Sequence, residues 1–274
     1  MRHWLLFLTV GVACAEVDPL EIVRRSVAVD DRSWQLARNY TYVQRDVFRE
    51  LDGKGKVTNT RVRIRDVLYI GHRPYRRLLE KDGHPLTPDE EKKEQRKLDR
   101  AVAERSRENE AERAKQVAEY EKRRARDREN LKQIPEAFDF KLLREEALAS
   151  GPAYVVEAKP RPGYSGKNHG FLSKVQGTFW INKSDYHWVK VEAEALDTIS
   201  YGFFVARLAK GSHLTFEQAR VNDEIWLPKA VLVTASARLG LIKKLNAQQE
   251  TTWSKYRKFQ TDSRVTSAGE PEQK

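Results

Sequence analysis

The stretch Gln176–Ala195, QGTFWINKSDYHWVKVEAEA, decides the predicted fold because it holds the clearest period-two alternation in the chain. From Val189 to Ala195 apolar residues occupy every second position, as in a strand with one buried and one wetter face. Asn182–Asp185 separates the two halves with side chains that favour a turn. The stretch therefore predicts a β-hairpin, with Trp180 and Trp188 on its more polar side.

Further strands are expected before and after this hairpin. Aromatic and β-branched residues between turn signals predict strands at 39–51, 57–70, 73–80, 152–160, 197–208, 212–220, 223–237 and 248–259. Pro228 lies inside one of them and predicts a bulge or an edge position, since proline cannot donate to a strand ladder. The residues from Ile134 to about Glu146 predict a short helix that buries Phe138, Phe140, Leu142 and Leu143.

Two longer helices are predicted. Asp18 is a suitable N-cap with Pro19 at the first helical position, so one helix is expected through about Asn39. Thr87, followed by Pro88 and acidic residues, predicts a second start. No glycine or further proline interrupts 88–134, which would extend about 70 Å as one helix or form a pair broken near 106–109.

The charge of the chain narrows its possible partners. A net charge of +11 would suggest nucleic acid or an anionic membrane surface. The segment 88–134 nevertheless holds 15 Lys and Arg against 13 Asp and Glu, a net of +2, so it is no basic patch. Three arginines alternate in Arg61–Arg65, where a solvated face is favoured over an anion-binding stripe. Together with the export signal described next, this distribution opposes nucleic-acid binding.

The N-terminus has the pattern of a secretory signal peptide. A basic start precedes the apolar run Trp4–Val12, and Ala13–Ala15 forms an A-x-A cleavage site. The run is shorter than the roughly 20 residues that span a bilayer, so no transmembrane span is expected in the mature chain. The periplasm is the expected location. Lipidation of Cys14, which would tether the chain to a membrane, is the alternative, although Gly11 replaces the bulky residue typical of a lipobox.

No catalytic, metal or cofactor site is predicted. Cleavage after Ala15 would remove Cys14, the single cysteine, and with it any disulfide, thiolate ligand or cysteine nucleophile. The histidines beyond the signal have no zinc-like spacing, and neither G-x-S-x-G nor H-E-x-x-H occurs. They are His72, His84, His169, His187 and His213. The chain is therefore not expected to be an enzyme.

The chain resembles the bacterial outer-membrane lipoprotein-sorting family, the LolA/LolB-like proteins, and their periplasmic relatives. The residues that carry the resemblance are GTFWINK at 177–183 with VKVE at 189–192, NDEIWLP at 222–228 and TTWSKY at 251–256. An export signal followed by an amphipathic helix and a long antiparallel meander is also similar. The resemblance implies an α+β fold in which a curved antiparallel sheet, an incomplete β-barrel, packs on helices around an apolar cavity for acyl chains.

From the residues and the resemblance together we expect a signal peptide at 1–15, one LolA-like domain at 16–265 and a disordered tail at 266–274. A long charged helical insertion at 88–134, without a counterpart in the transfer proteins, interrupts that domain. The expected function is a non-enzymatic periplasmic carrier or sensor for lipoprotein acyl chains or another hydrophobic ligand. The candidate lining residues are Trp180, Trp226, Tyr201, Phe203 and Phe204. The alternative is an envelope protein–protein interaction module that uses the charged insertion.

Overall fold

A computed structural model of the chain describes residues 17–71, 73–201, 206–239 and 243–258. The expected signal peptide and the expected C-terminal tail therefore lie outside the described residues. The helices are α1 (Pro19–Ala37), α2 (Pro88–Arg107), α3 (Glu110–Lys132), α4 (Ile134–Ala137) and α5 (His169–Leu172). None of them is both long and apolar enough to cross a lipid bilayer.

The strands belong to one large antiparallel sheet. They are β1 (Tyr40–Leu51), β2 (Val57–Ile70), β3 (Arg73–Lys81), β4 (His84–Pro85), β5 (Phe138–Leu148), β6 (Gly151–Pro160), β7 (Val175–Asn182), β8 (Trp188–Ala195), β9 (Ile199–Tyr201), β10 (Ala206–Leu208), β11 (His213–Val221), β12 (Ile225–Leu239) and β13 (Lys243–Lys258). Their order is β4-β3-β2-β1-β13-β12-β11-β8-β7-β6-β5, with β10 joining β12 to β9. Within the described residues the end strands β4 and β5 do not pair, so the sheet is open. The predicted α+β class is confirmed.

Helix α1 covers one face of this sheet. Its start is confirmed, because the Asp18 side chain accepts a hydrogen bond from the Leu20 amide at 2.9 Å and Pro19 occupies the first turn. Ile22 and Val23 are buried against side chains from α4, α5 and strands β5 to β8. The strand residues in this core are Phe138, Tyr154, Val156, Ala158, Phe179, Ile181 and Trp188. We call this surface of the sheet the helix face.

The charged segment forms two helices, as the possible break near 106–109 allowed. Thr87 and Glu90 make the reciprocal hydrogen bonds of a capping box at the start of α2, and the helix ends at Arg107. Along β3, Arg77 donates to Gln95 of α2 at 3.2 Å, whereas Arg76, on the opposite face of the strand, lines a cavity under α3. Helix α2 therefore contacts β3 through Arg77, and α3 lies over the cavity that Arg76 lines.

The helix predicted from Ile134 to about Glu146 is wrong beyond its first turn. Helix α4 ends at Ala137, and Phe138–Leu148 is strand β5, paired with β6 over its whole length. The apolar residues Phe138, Phe140 and Leu142 recur at every second position, which suits a strand with one buried face. Pairing with β6 satisfies the backbone groups and decides between the two readings.

The predicted hairpin is confirmed as β7 and β8, but Trp188 lies on the other side from the one expected. The register pairs Trp180 with Lys190 and Ile181 with Trp188, so Val189 is an extra residue in β8. This bulge reverses the alternation at one point and turns Trp188 into the core, with its ring 5.5 Å from that of Phe179. The bulge depends on pairing and is invisible in the period of the sequence.

A second predicted irregularity is also present. Gln218 pairs with Pro228 and Glu217 with Ala230, which leaves Lys229 as the extra residue of a bulge between β11 and β12. Pro228 thus lies next to a bulge, a position at which a strand tolerates a residue without an N–H.

Candidate functional site

A cavity of about 520 Å³ lies between the sheet and α3, and we call it the basic cavity. Its floor consists of Tyr42, Tyr69, Pro74 and Arg76, from strands β1 to β3. Tyr42 is opposite Val67, Val67 is opposite Arg76, and Tyr69 is opposite Pro74, so all the floor residues share one face of the sheet. Three neighbouring strands therefore present two tyrosine rings and a guanidinium to the same space.

The roof of the basic cavity is one stripe of α3. Gln116, Tyr120, Arg123 and Arg124 line it, and they stand at positions i, i+4, i+7 and i+8. This spacing brings side chains onto a single helical face. Helix α3 therefore directs an aromatic and cationic stripe at the tyrosines of the floor.

Contacts with α1 fix the position of α3 over the sheet. The Arg124 guanidinium lies 3.9 Å from the Trp34 ring centre and donates to the Trp34 carbonyl at 3.2 Å. One turn further, Arg128 and Asp30 form an ion pair at 2.8 Å, and each side chain is only 9% exposed. A paired buried charge keeps its partner in place because an unpaired one would be costly.

Arg105 closes one end of the basic cavity. Its guanidinium donates to the carbonyl oxygens of Ile70 and Arg73 at 2.9 and 2.8 Å and to that of Pro74 at 3.3 Å. Burial, assisted by the charge of Arg73, lowers the pKa of Arg105. The three hydrogen bonds engage the Arg105 guanidinium with the turn between β2 and β3.

The basic cavity carries a positive charge that its own residues do not neutralise. Among the described residues, its lining contains five arginines and no Asp or Glu. Arg73 pairs with Glu108, and Arg124 pairs with Glu121 at 3.2 Å. Arg76 and Arg123 are solvent-exposed, and neither has an ion pair with any described side chain.

The tyrosines give the cavity neutral walls. Burial raises the pKa of Tyr42, and burial together with Tyr120, its hydrogen-bond partner, raises that of Tyr69. Both phenols therefore stay uncharged at physiological pH. Their rings and the aliphatic stems of the arginines offer apolar surface beside cationic heads. This combination suits a ligand with an apolar body and a polar end.

The sequence-predicted residue Trp180 lies on the sheet face opposite the helix face. It packs with Ala153 and Val155, which alternate with the helix-face residues Tyr154 and Val156. Its Nε1 donates to a Glu146 carboxylate oxygen at 3.1 Å. Trp180 is 7% exposed and lines neither of the two cavities described for this chain.

Trp226, also predicted as lining, is 4% exposed and sits beside the turn between β7 and β8. Its Nε1 donates to Asp185 at 2.8 Å, and its ring stacks on His187 at 6.0 Å. The side chain of Tyr201 and the whole of Phe203 and Phe204 lie outside the described residues. The lining role of the five residues therefore stays a prediction.

Ser33, His187 and Asp185 form a row that has the composition of a catalytic triad. Ser33 Oγ lies 2.6 Å from His187 Nε2, and His187 Nδ1 lies 3.4 Å from Asp185 without hydrogen-bond geometry. Ser33 is only 8% exposed within α1, and Asp185 is engaged by Trp226. A nucleophile must be reachable by its substrate, so we assign this row to anchoring α1 on the hairpin turn.

A smaller concavity of about 260 Å³ crosses β6, β7, β8 and β11, and we call it the acidic groove. Glu157, Glu192 and Glu194 line it on the face that holds Trp180. Gly177 also lines it, and a Cβ there would stand 2.6 Å from the Glu192 carbonyl oxygen. Among the described residues, no group of three or more potential ligands could hold a metal ion.

No family model matches the chain, and no curated protein matches it. Among solved structures, an outer membrane lipoprotein-sorting protein domain from Vibrio parahaemolyticus is similar at 14% identity and a TM-score of 0.36, over 89% of this chain and 95% of that one. A DUF1329 family protein from Desulfovibrio piger is similar at 12% identity and a TM-score of 0.34, over 90% and 96%.

A LolA superfamily protein from Nitrosomonas europaea is similar at 10% identity and a TM-score of 0.32, over 89% of this chain and 94% of that one. Structures from the family that the sequence resembles are thus among those similar to this chain. At these identities and TM-scores the function has to be argued from the side chains of this chain.

Proposed function

We propose that the chain is a non-enzymatic periplasmic carrier or sensor that binds a lipidated or otherwise hydrophobic ligand between its curved sheet and α3. The observation that supports this proposal is the basic cavity. Its volume of about 520 Å³ falls within the roughly 300–1,000 Å³ typical of small-molecule sites. Helix α3 covers the cavity from above and the sheet closes it from below, so a bound ligand would lose much of its contact with water.

The walls of the cavity suit an amphiphile better than a purely apolar ligand. An acyl chain would lie along the rings of Tyr42, Tyr69 and Tyr120, and each methylene removed from water contributes about 0.8 kcal/mol. The arginine heads would remain with the polar end of the ligand. Affinity in this arrangement requires no catalytic group.

A fluorescence titration with matched variants tests the proposal. The guanidinium of Arg124, a lining residue, lies over the ring of Trp34. The fluorescence emission of Trp34 should therefore report an occupied cavity. We expect the delipidated chain to shift its emission when a tripalmitoylated peptide is added. Trp34→Phe should remove the shift, whereas Trp180→Phe, on the opposite face, should keep it.

The reverse pattern would place the ligand at the lining predicted from the sequence, and Trp226→Phe would extend that comparison. No shift in any form of the chain, together with no lipid in mass spectra of natively purified material, would refute lipid binding. Thermal unfolding of each variant serves as the control for folding.

The alternative function, docking of an envelope partner on the charged helices, is supported by the first turns of α3, where residues 111–115 are all exposed. Deleting the helices would also remove the roof of the basic cavity, so surface charge reversal is the cleaner test. Glu119 and Lys122 are exposed on α3 and line neither of the two described cavities. Loss of partner capture in Glu119→Lys, Lys122→Glu, with the lipid-induced shift retained, would favour docking.

A further inference from the structure

We infer that Arg76 and Arg123 form a recognition site for a phosphate group at the open side of the basic cavity. The phosphate could belong to a lipid headgroup or be free in solution. This inference rests on the proposed function and deepens it, because it names the polar end of the ligand.

The first support is the position of the two arginines. Arg76 belongs to the floor, on β3, and Arg123 belongs to the roof, on α3, and both line the same cavity. Elements 47 positions apart in the chain thus present two guanidinium groups to one space. A group held between them would be contacted from both sides.

The second support is that the other three arginines of the lining already have partners. Arg73 is paired with Glu108, Arg124 with Glu121, and Arg105 with three backbone carbonyl oxygens. Arg76 and Arg123 have no ion pair with a described side chain. Like charges gathered in one cavity repel one another, and an anion would relieve that repulsion.

The third support is the match between arginine and phosphate. A guanidinium presents a planar fork of donors that fits the oxygens of a phosphate group, and two forks can engage different oxygens of one group. A dianion with several acceptor oxygens uses these donors more fully than a single carboxylate does.

The test compares three probes on the full chain by calorimetric titration. They are inorganic phosphate, dihexanoylphosphatidic acid below its micelle concentration and neutral dihexanoylglycerol. We expect phosphatidic acid to bind more tightly than either of the others, since it joins the phosphate to the acyl chains. Arg76→Gln with Arg123→Gln should raise its dissociation constant at least roughly tenfold, because hydrogen bonds to charged groups are strong.

The matched control is Arg63→Gln with Arg100→Gln. It also removes one arginine from a strand and one from a helix, and both are exposed, lie outside the lining and have no ion pair with a described side chain. Its dissociation constant should stay unchanged. Arg76→Lys with Arg123→Lys, which keeps the charge but loses the forks, should give an intermediate value, and thermal unfolding should show that every variant is folded.

The outcomes separate the inference from the function on which it rests. Equal binding of phosphatidic acid and dihexanoylglycerol, unchanged in the Arg76→Gln, Arg123→Gln variant, would overturn the phosphate site and leave the lipid carrier standing. Arginine-dependent binding of inorganic phosphate as tight as that of phosphatidic acid would support the phosphate site, with free phosphate as the source, and overturn the hydrophobic ligand. Binding of no probe would overturn both.

Discussion

The basic cavity and the acidic groove are both concave, but they are built and charged in opposite ways. The cavity is lined by residues of strands β1, β2 and β3 and of helices α2 and α3. The groove is lined by four neighbouring strands of the sheet alone. In the groove, Glu157 pairs with Lys159 at 3.1 Å and Glu192 with Lys190 at 2.5 Å, each on its own strand. In the cavity, no described side chain forms an ion pair with Arg76 or Arg123.

This difference shows that net charge does not locate a binding site. Alternating lysine and glutamate along a strand place opposite charges side by side, so the groove is largely neutralised before any ligand arrives. The cavity gathers arginines from separate elements, whose charges meet only after folding. Of the two concavities, the cavity therefore keeps the electrostatic attraction for a charged ligand, and it depends on the docking of α3.

The largest effect on stability and ligand binding is expected when α3 is released from α1. Arg128→Ala would leave Asp30 buried without its partner at 2.8 Å, and breaking such a pair costs about 3–5 kcal/mol. We expect this loss in the free energy of unfolding, measured by urea denaturation, together with loss of ligand binding in the cavity. Lys122→Ala, on an exposed position of α3, is the control and should change little. Equal stabilities of the two variants would contradict the role given to α3 docking.

The strands that form the acidic groove can be disturbed without touching α3. In Gly177→Ala the new Cβ would meet the Glu192 carbonyl oxygen at 2.6 Å, so strands β7 and β8 must move apart locally. Overpacking of this kind costs about 1–3 kcal/mol, which thermal or urea unfolding would reveal. Gly170→Ala, where no atom lies within 4 Å of the added Cβ, should cost much less. Ligand binding in the basic cavity should survive both changes.

A smaller effect is expected from pH at the anchor between α1 and the hairpin turn. Burial lowers the pKa of His187 below its ordinary value of 6.5, so the unfolded chain binds its proton more readily than the folded chain. The contribution of His187 to stability is therefore complete above pH 6.5 and is lost as the pH falls from there through the lower folded pKa. Unfolding free energies measured between pH 5 and about 8 should show this loss.

His187→Gln should flatten that part of the pH profile. His213→Gln is the matched control, because His213 is exposed on β11. A profile that changes equally in the two variants would show that the loss does not arise from the buried ring.

The smallest effect is expected inside the acidic groove. Glu192→Gln removes the ion pair with Lys190, but both side chains are well exposed, at 48% and 32%. Exposed pairs of this kind contribute about 0–1 kcal/mol, so the free energy of unfolding should change by less than about 1 kcal/mol. Phosphatidic acid binding should be unchanged. A marked gain in that binding would mean that the groove, and not the cavity, senses the anion.

Much of the fold could be predicted because its signals are local. The N-cap at Asp18, the capping box at Thr87 and the turn of the β7–β8 hairpin each act within a few residues, and all three are present. The misassigned helix after Ala137 shows the limit, since pairing with β6 overrides the local preference. Trp188 shows it again, because one bulged residue changes which face it occupies.

The site was much less accessible to sequence reasoning. The arginine stripe Arg61–Arg65 attracted attention, yet Arg61 pairs with Glu50 at 3.1 Å and Arg65 with Asp46 at 2.5 Å. The helical spacing of Gln116, Tyr120, Arg123 and Arg124 is visible in the chain, but so are several other stripes on the same helix. Nothing local indicates which stripe faces a strand.

The amino-acid sequence by itself determined most of the strands and the starts of α1 and α2, because hydrophobic period and capping chemistry act between near neighbours. Only the tertiary structure decided that Arg76 and Arg123 line one cavity. Their meeting depends on the register of β1 to β3 and on the seating of α3 against α1 through Arg128 and Asp30. Such long-range packing is settled by the whole core, so no short stretch of sequence records it.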